Sequence, residues 1–190
     1  GEKLFELLLT KEQIGHILTV LRKHQIPMVL EGPHYIYVDE KDFVDDPYVI
    51  YLRNERGENL KSITGTAQYE VNKLSAELRN ADVELVRKEL GTEFDMIVHE
   101  PDGILEIGQA GHSKASGIER LCESLGIAKE DTYAFGDSAN DVEMLEFVAH
   151  GIAMGNGTNG IKAKADYITT DILDNGLSNA FVYAGIIDKD

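Results

Sequence analysis

The second half of this chain alternates between helical and extended patterns, and this alternation restricts the possible fold more than any other feature. Apolar residues recur at a spacing of three or four in some segments and form short continuous runs between them. Strands that are separated by helices run parallel, since a hairpin turn cannot join them. Residues 110–190 are therefore predicted to form an α/β domain with a parallel sheet. The predicted helices are 114–125, 141–148, 161–165 and 177–186, and the predicted strands are 132–135, 151–154 and 167–169.

Residues 1–109 do not alternate in this way and are predicted to form a separate α+β domain. A T-x-x-Q capping box begins a helix at Thr10, whereas the segment 48–52 fits a strand and a helix equally well. Further helices are predicted at 67–78 and 83–90, and strands at 3–9, 26–30, 35–38 and 60–64.

A β-hairpin is predicted near the end of this first domain. Two apolar runs, 96–99 and 104–107, flank the sequence Glu-Pro-Asp-Gly at 100–103. Proline presets the backbone angle φ, and Gly103 supplies the position that needs a positive φ. The two runs are therefore expected to pair as antiparallel strands.

The chain is strongly acidic, with 34 aspartates and glutamates against 18 lysines and arginines and a formal net charge of −16. Such a surface repels nucleic acids and anionic membranes, so neither is expected as a partner. No apolar run approaches the length of a membrane span and no signal-peptide pattern opens the sequence. We therefore expect a cytoplasmic protein or a mature chain whose leader has been removed. A phosphorylated ligand would also be repelled unless a local cation or a divalent metal compensated its charge.

Cysteine and histidine usage excludes further classes of site. The single cysteine, Cys122, rules out intramolecular disulfides and cysteine-cluster zinc sites. Its place on an apolar helix face with Ile118, Leu121 and Leu125 predicts a thiol in the core and not a nucleophile. The six histidines are scattered without the spacing of metal ligands.

The strand predicted at 132–135 is followed directly by a cluster of polar residues, Asp137, Asn140 and Asp141. Loops at the carboxyl ends of parallel strands line the ligand crevice of open α/β sheets, so these side chains are candidates for a site. Equally well, Ser138 or Asn140 caps the next helix and the two aspartates favour its positive end. Spacing alone does not separate the two interpretations.

Lys114 is the second informative residue. Ser113 is a suitable helix cap, which places Lys114 in the first turn, where a cation is mildly unfavourable unless it faces an anion. A helix N-terminus and an ammonium group together bind a phosphate well. The alternative is a solvated surface lysine.

A glycine-rich segment, 155–160, follows the strand predicted at 151–154. Its glycines and asparagines permit a positive φ and a close backbone approach, so the segment either borders a ligand or is a simple turn. The letters G-x-G-x-x-G occur here without the spaced acidic residue of a dinucleotide-binding unit, so no nucleotide cofactor is predicted.

Taken together, these motifs resemble the C-terminal part of a Cof-type phosphatase of the haloacid dehalogenase superfamily. The resemblance covers about residues 111–187. The first 109 residues are similar in size and pattern to the C2-type cap domain of such proteins. The motifs, in order, are Lys114 opening a helix, Gly-Asp-Ser-Ala-Asn-Asp at 136–141, Met-Gly-Asn-Gly at 154–157, Lys-Ala-Asp-Tyr-Ile-Thr-Thr at 164–170, and Asn-Gly-Leu at 175–177.

This resemblance implies a fold and a chemistry. The fold would be a partial Rossmann-like parallel sheet at 110–190 plus an α+β cap at 1–109. The activity would be Mg²⁺-dependent hydrolysis of small phosphorylated metabolites through a phosphoaspartyl intermediate. Asp137 would be the Mg²⁺ ligand, Lys114 and Asn140 would contact the phosphate, and Asp141 would orient the lysine or a metal-bound water.

The chain departs from the family pattern in one respect, because it contains no D-x-D-G-T motif, which carries the family's nucleophile. In the family the strand with this motif lies beside the strand that ends at Asp137. We therefore expect a fragment of a longer protein, inactive by itself, whose partner is the missing N-terminal segment or a second copy of the chain. The alternatives are a non-catalytic phosphate-binding or interaction module and a sugar-phosphate mutase of the same superfamily.

Overall fold

A computed structural model describes residues 4–39, 43–64, 69–99 and 102–188. The chain divides into two compact units, Gly1–Ala110 and Gly111–Asp190. In the described ranges every helix is too short or too polar to cross a membrane.

The first unit is built on a sheet of six described strands in the order β3-β2-β1-β4-β6-β5. Neighbouring strands are antiparallel, except that β2 and β3 run parallel. The strands are β1 Met28–Glu31, β2 Ile36–Val38, β3 Leu60–Ser62, β4 Lys73–Glu77, β5 Phe94–His99 and β6 Ile104–Gln109, and the helices are α1 Lys11–Lys23, α2 Pro47–Arg56 and α3 Val83–Leu90.

The two faces of this sheet carry different cores. Side chains of α1 and α3 pack with alternate residues of the central strands, such as Leu30 and Leu74, which are fully buried. On the opposite face, Val49 and Leu52 of α2 pack against β1 and β2. The predicted capping box at Thr10 is confirmed by its two reciprocal hydrogen bonds of 2.9 and 3.2 Å. Residues 48–52, which fitted either pattern, are helical.

The helix predicted at 67–78 is wrong. Residues 73–77 form the central strand β4, which is hydrogen-bonded to β1 on one side and to β6 on the other. Leu74 and Leu78 are four residues apart, which places them on one face of a helix and also on one face of a strand, so the apolar spacing does not distinguish the two. The segment is a strand because its backbone pairs with a neighbouring strand on each side. Residues 67 and 68 lie outside the described residues.

The strand predicted at 3–9 is also wrong over its described part. Residues 4–10 lie outside any strand. Leu9 donates its N–H to the carbonyl oxygen of Val71 at 2.8 Å, but this contact does not extend into a ladder. Leu9 is nevertheless buried, so the apolar run packs against the core without pairing as a strand.

The predicted hairpin is confirmed, because β5 and β6 pair antiparallel along six residue pairs. Gly103 has a φ of +65°, as expected for a turn position that disfavours side chains. Residues 100 and 101 of the turn lie outside the described residues.

The second unit confirms the predicted parallel α/β pattern, and its described residues form three strands in the order β7-β8-β9. Its core is formed by small and branched side chains between the sheet and the helices, including Leu145 and Ile161. The elements are α4 Lys114–Leu125, β7 Tyr133–Gly136, α5 Val142–Phe147, β8 His150–Ala153, α6 Asn159–Lys162, β9 Tyr167–Ile168 and α7 Gly176–Tyr183.

The apolar face of α4 is not buried as predicted. Leu121 is 41% exposed and Leu125 is 58% exposed. Cys122 is a free thiol that is only half-buried, so the prediction of a core thiol is wrong. Ile118 alone of that face packs against the described core of the second unit. In the described part of the sheet, β7 pairs with β8 on one side and is an edge strand on the other.

Candidate active site

The candidate site begins where β7 ends. Gly136 is the last residue of the strand, and the turn that follows places Asp141 in a buried position, 5% exposed. Oδ2 of Asp141 accepts hydrogen bonds from the backbone N–H groups of Asp137 at 3.1 Å and Ser138 at 3.3 Å. Ser138 and Asp141 thus form a capping box around the 3₁₀ turn Ala139–Asp141. The predicted capping role is thus found for Ser138, on the turn that leads into α5. Asp141, for which only a favourable charge at the helix start was predicted, takes part in the same box.

Lys114 lies in the first turn of α4, as predicted, with Ser113 as the helix cap. The ammonium Nζ of Lys114 donates to Oδ1 of Asp141. The Asp141 side chain is 7% exposed and that of Lys114 is 49% exposed, so the pair is buried at the carboxylate and open at the ammonium. Lys114 is consequently not an unpaired surface lysine, and its ammonium can still meet a ligand from solvent.

The protonation of Asp141 is set by its hydrogen bonds. Burial by itself raises the pKa of this carboxyl group, since the charged form loses solvation. The hydrogen bonds from Lys114 and from the backbone of Asp137 and Ser138 outweigh burial and lower the pKa below its ordinary value of 3.8. Asp141 is therefore a carboxylate at neutral pH.

This lowered pKa predicts a pH dependence of stability. A carboxyl group with a depressed pKa in the folded state contributes stability above its ordinary pKa, and the contribution is lost as the pH falls through the folded value. We expect the stability difference between the unaltered chain and Asp141→Asn, measured by urea unfolding, to be largest near neutral pH and to shrink below about pH 4. A difference that stays constant from pH 7 to pH 3 would contradict the assignment.

Asp137, the predicted metal ligand, is exposed at the carboxyl end of the sheet. Its Oδ2 accepts a hydrogen bond of 3.4 Å from Nδ2 of Asn156, and its carbonyl oxygen accepts one of 3.1 Å from the N–H of Thr158. The contact with Asn156 was not predicted. The Met-Gly-Asn-Gly sequence at 154–157 resembles a family motif, but its spacing does not indicate a partner for the Asp137 side chain.

Asn140, the predicted phosphate contact, is half-buried in the 3₁₀ turn. Its Oδ1 accepts a hydrogen bond of 2.6 Å from the hydroxyl of Ser138. This bond orients the amide, and no described residue accepts a hydrogen bond from the Nδ2 group. The amide nitrogen is thus available as a donor to a ligand.

Glycines allow the backbone to approach closely around this site. A Cβ atom at Gly136 would lie 2.5 Å from Cβ of Asp141, and one at Gly157 would lie 3.2 Å from Cα of Asp137. Neither glycine has a positive φ. The close backbone approach at Gly157 is therefore made to another part of this unit, and a ligand beside the segment 155–160 stays a prediction.

Asp137 can provide part of a magnesium site. The described ranges contain no group of three acidic, histidine or cysteine side chains suited to a metal. Mg²⁺, however, commonly binds through one or two carboxylates and keeps several waters or phosphate oxygens. The exposed carboxylate of Asp137 fits one such ligand position, because only its Oδ2 accepts a hydrogen bond from a described residue.

The chain is similar in sequence to one protein family and to individual bacterial proteins. The family model of haloacid dehalogenase-like hydrolases matches residues 1–181. An uncharacterized protein in the pdhA 5' region of Geobacillus stearothermophilus is 52% identical over 68 residues, which cover 36% of this chain and 72% of that protein. The 5-amino-6-(5-phospho-D-ribitylamino)uracil phosphatase YitU of Bacillus subtilis is 33% identical over 132 residues, covering 67% of this chain and 45% of YitU.

A similar fold occurs among solved structures. The chain superimposes on the sugar phosphatase BT4131, of haloacid dehalogenase subclass IIB, with a TM-score of 0.79 and 24% identity. The superposition covers 96% of this chain and 70% of that protein. The chain thus spans less than half of YitU and about 70% of BT4131.

Proposed function

Because the chain belongs to the family of haloacid dehalogenase-like hydrolases, we propose that its second unit is part of a Mg²⁺-dependent phosphatase site for small phosphorylated metabolites. The predicted membership of the haloacid dehalogenase superfamily and the predicted α/β fold class are both confirmed. The Cof-type subclass is part of the proposal. Phosphatases among the relatives, including YitU, support this type of reaction. The assignment of residues 1–109 as a cap domain remains part of the proposal.

The observation that supports the proposal most is the arrangement of Lys114, Asp141 and Asp137. Asp141 accepts hydrogen bonds from the Lys114 ammonium and from the backbone N–H of Asp137, so one buried carboxylate links the cation and the candidate metal ligand. A lysine held in this way at a helix N-terminus is a suitable partner for a phosphate oxygen.

Each side chain has a distinct task in this proposal. Lys114 binds and orients the phosphate, and Asn140 donates a second hydrogen bond to it from Nδ2. Asp141 is a positioning residue, because it holds the Lys114 ammonium toward the site. Asp137 supplies a carboxylate ligand to Mg²⁺, which when bound neutralises negative charge on the phosphoryl group.

The nucleophile is the part that these residues do not supply. A phosphoaspartyl reaction needs an attacking carboxylate, and the family's D-x-D-G-T motif is absent from the 190 residues. Asp137 is assigned to the metal and Asp141 is paired with Lys114. We therefore propose that this chain alone binds phosphate but does not hydrolyse phosphate esters.

The exposed surface of the second unit offers a place for the missing nucleophile. Leu121 and Leu125 of α4 are exposed, and β7 is a strand edge in the described sheet. An additional strand that paired with β7 would bring its carboxyl end next to Asp137, since parallel neighbours end at the same edge. We propose that the segment that carries the nucleophile covers the edge of β7 and the exposed residues of α4. The alternative is that a second copy of this chain covers them.

Phosphate binding tests the role of Lys114. Because Lys114 provides a charge-assisted hydrogen bond, Lys114→Ala is expected to weaken binding of inorganic phosphate by about tenfold or more. Binding in the presence of Mg²⁺ is measured by ³¹P NMR. The matched control is Lys162→Ala in α6, which removes the same charge elsewhere in the unit and is expected to leave binding unchanged. If the unaltered chain, Lys114→Ala and Lys162→Ala bound phosphate equally well, the assignment of Lys114 to the phosphate site would be wrong.

Hydrolysis of p-nitrophenyl phosphate tests the absence of the nucleophile. The purified chain with Mg²⁺ is expected to release no nitrophenol above the uncatalysed rate. If the chain hydrolysed this ester and Asp137→Ala abolished the activity, the proposed inactivity would be wrong. The assignment of Asp137 to the site would then be supported.

A second candidate function is a phosphate-binding module without catalysis. The absence of the D-x-D-G-T motif favours it, whereas the family membership favours an enzyme. Adding a separately produced segment that contains the motif distinguishes the two. Restored hydrolysis supports the enzyme, and unchanged phosphate binding without hydrolysis supports the module.

A further inference from the structure

Asn156 lies in the turn between β8 and α6, and its side chain joins two other turns of the second unit. Its Nδ2 group donates to Oδ2 of Asp137 at 3.4 Å, and its Oδ1 accepts from the N–H of Ile172 at 3.0 Å. Asp137 follows β7, and Ile172 follows β9. One amide therefore connects the turns at the carboxyl ends of β7 and β9, the outer strands of this sheet as far as the structure describes it.

The backbone of this turn is held independently of the Asn156 side chain. Gly155 donates its N–H to the carbonyl oxygen of Thr170 at 3.0 Å, and Thr158 donates to the carbonyl oxygen of Asp137 at 3.1 Å. A Cβ atom added at the neighbouring Gly157 would lie only 3.2 Å from Cα of Asp137, so the two backbones pass close to each other. Removing the Asn156 side chain should therefore leave the path of the turn intact, so that the effect of its two hydrogen bonds can be measured.

The chemistry of the two contacts suits an amide in particular. Asp137 presents a carboxylate and requires a donor, whereas the N–H of Ile172 requires an acceptor. A carboxylate at position 156 would satisfy Ile172 but would place a like charge beside Asp137. Asparagine satisfies both partners and adds no charge.

We propose that Asn156 is the positioning residue for the Asp137 carboxylate: it restrains Oδ2, and Oδ1, which accepts no hydrogen bond from a described residue, would bind a divalent cation. This inference rests on the proposed function, in which Asp137 is the metal ligand. Groups that orient a metal ligand typically change metal affinity by about 10- to 100-fold when they are removed. The contact of 3.4 Å is long for a hydrogen bond, so we expect the lower end of that range.

The test measures Mn²⁺ binding to the 190-residue chain, with Mn²⁺ replacing Mg²⁺ as a paramagnetic probe that also prefers oxygen ligands. Broadening of the backbone amide signal of Ser138 in ¹H–¹⁵N spectra reports the affinity. Asn156→Ala is expected to weaken Mn²⁺ binding by about tenfold. The matched control is Asn159→Ala in α6, an exposed asparagine close by, which should leave the affinity unchanged.

Asp137→Asn separates failure of this inference from failure of the proposed function. If Asp137→Asn abolishes the broadening and Asn156→Ala leaves it unchanged, Asn156 has no positioning role although the metal site stands. If Asp137→Asn leaves the broadening unchanged, or if neither the unaltered chain nor any variant shows broadening, Asp137 is not the metal ligand. The proposed role of Asn156 is then wrong as well.

A second measurement on the unaltered chain keeps the inference testable if Asn156→Ala does not fold. The side-chain amide signals of Asn156 should shift during a Mg²⁺ titration with the same midpoint as the backbone amide of Asp137. Side-chain signals that stay in place while the Asp137 amide shifts would overturn the proposal.

Discussion

Replacing Asp141 by alanine is expected to lower the free energy of unfolding of the second unit by about 2–3 kcal/mol. The side chain is 7% exposed and accepts hydrogen bonds from the backbone N–H groups of Asp137 and Ser138. Alanine leaves both donors without their acceptor and removes the capping box of the turn. The ion pair with Lys114 contributes less, because the ammonium is half exposed and screened by solvent.

Urea unfolding followed by circular dichroism measures this loss, and hydrogen exchange of the Asp137 and Ser138 amides locates it. The matched control is Glu143→Ala, an exposed acidic residue in the first turn of α5, which should change stability by about 0.5 kcal/mol at most. A loss from Asp141→Ala no larger than that of the control would show that the buried carboxylate does not hold the turn together.

Replacing Gly155 by alanine is expected to destabilise the second unit by about 3 kcal/mol. The added Cβ atom would lie 2.4 Å from the backbone nitrogen of Asp171 and 2.5 Å from the carbonyl carbon of Thr170. Both are backbone atoms, so neither can rotate away as the end of a flexible side chain would. The turn would have to separate from residues 170 and 171 and would lose the hydrogen bond from Gly155 to Thr170.

Gly160 is a matched control within the same glycine-rich segment. A Cβ atom at Gly160 would meet no atom nearer than 3.8 Å, and the residue lies inside α6. Gly160→Ala is therefore expected to be neutral or to stabilise by up to about 1 kcal/mol, because alanine loses less backbone entropy in a helix. Thermal unfolding of both variants measures the contrast. Similar melting temperatures for the two would refute the steric explanation.

Local signals in the sequence predicted much of the architecture. The capping residues Thr10 and Ser113, and Gly103 in the hairpin turn, have the predicted roles. These features depend on neighbours along the chain, so their chemistry can be read from short segments. The alternation of helices and strands predicted the parallel sheet of the second unit for the same reason.

The errors occurred where distant partners decide the conformation. The segment containing Leu74 fitted a helical period, but pairing with β1 and β6 makes it a strand. The apolar stripe of α4 predicted burial, and yet Leu121 and Leu125 are exposed in the described fold. Apolar periodicity shows which face of a helix is apolar, but it does not show what packs against that face.

The sequence predicts only part of the candidate site. The resemblance identified Lys114, Asp137, Asn140 and Asp141, and the structure brings these residues to the carboxyl end of β7. Their assigned roles stay predictions. The contact between Asn156 and Asp137 could not be predicted, because it depends on β7 and β8 lying side by side in the sheet.

The family, the parallel α/β pattern of the second unit and the residue types available for phosphate and metal could be recognised in the amino-acid sequence, because they follow from local periodicity and motifs. The double role of Asp141, as a turn cap and as the partner of Lys114, is visible only in the folded chain. The same is true of the contact between Asn156 and Asp137. Hydrogen bonds between residues far apart in the chain form only after the strands and helices that carry them have packed together.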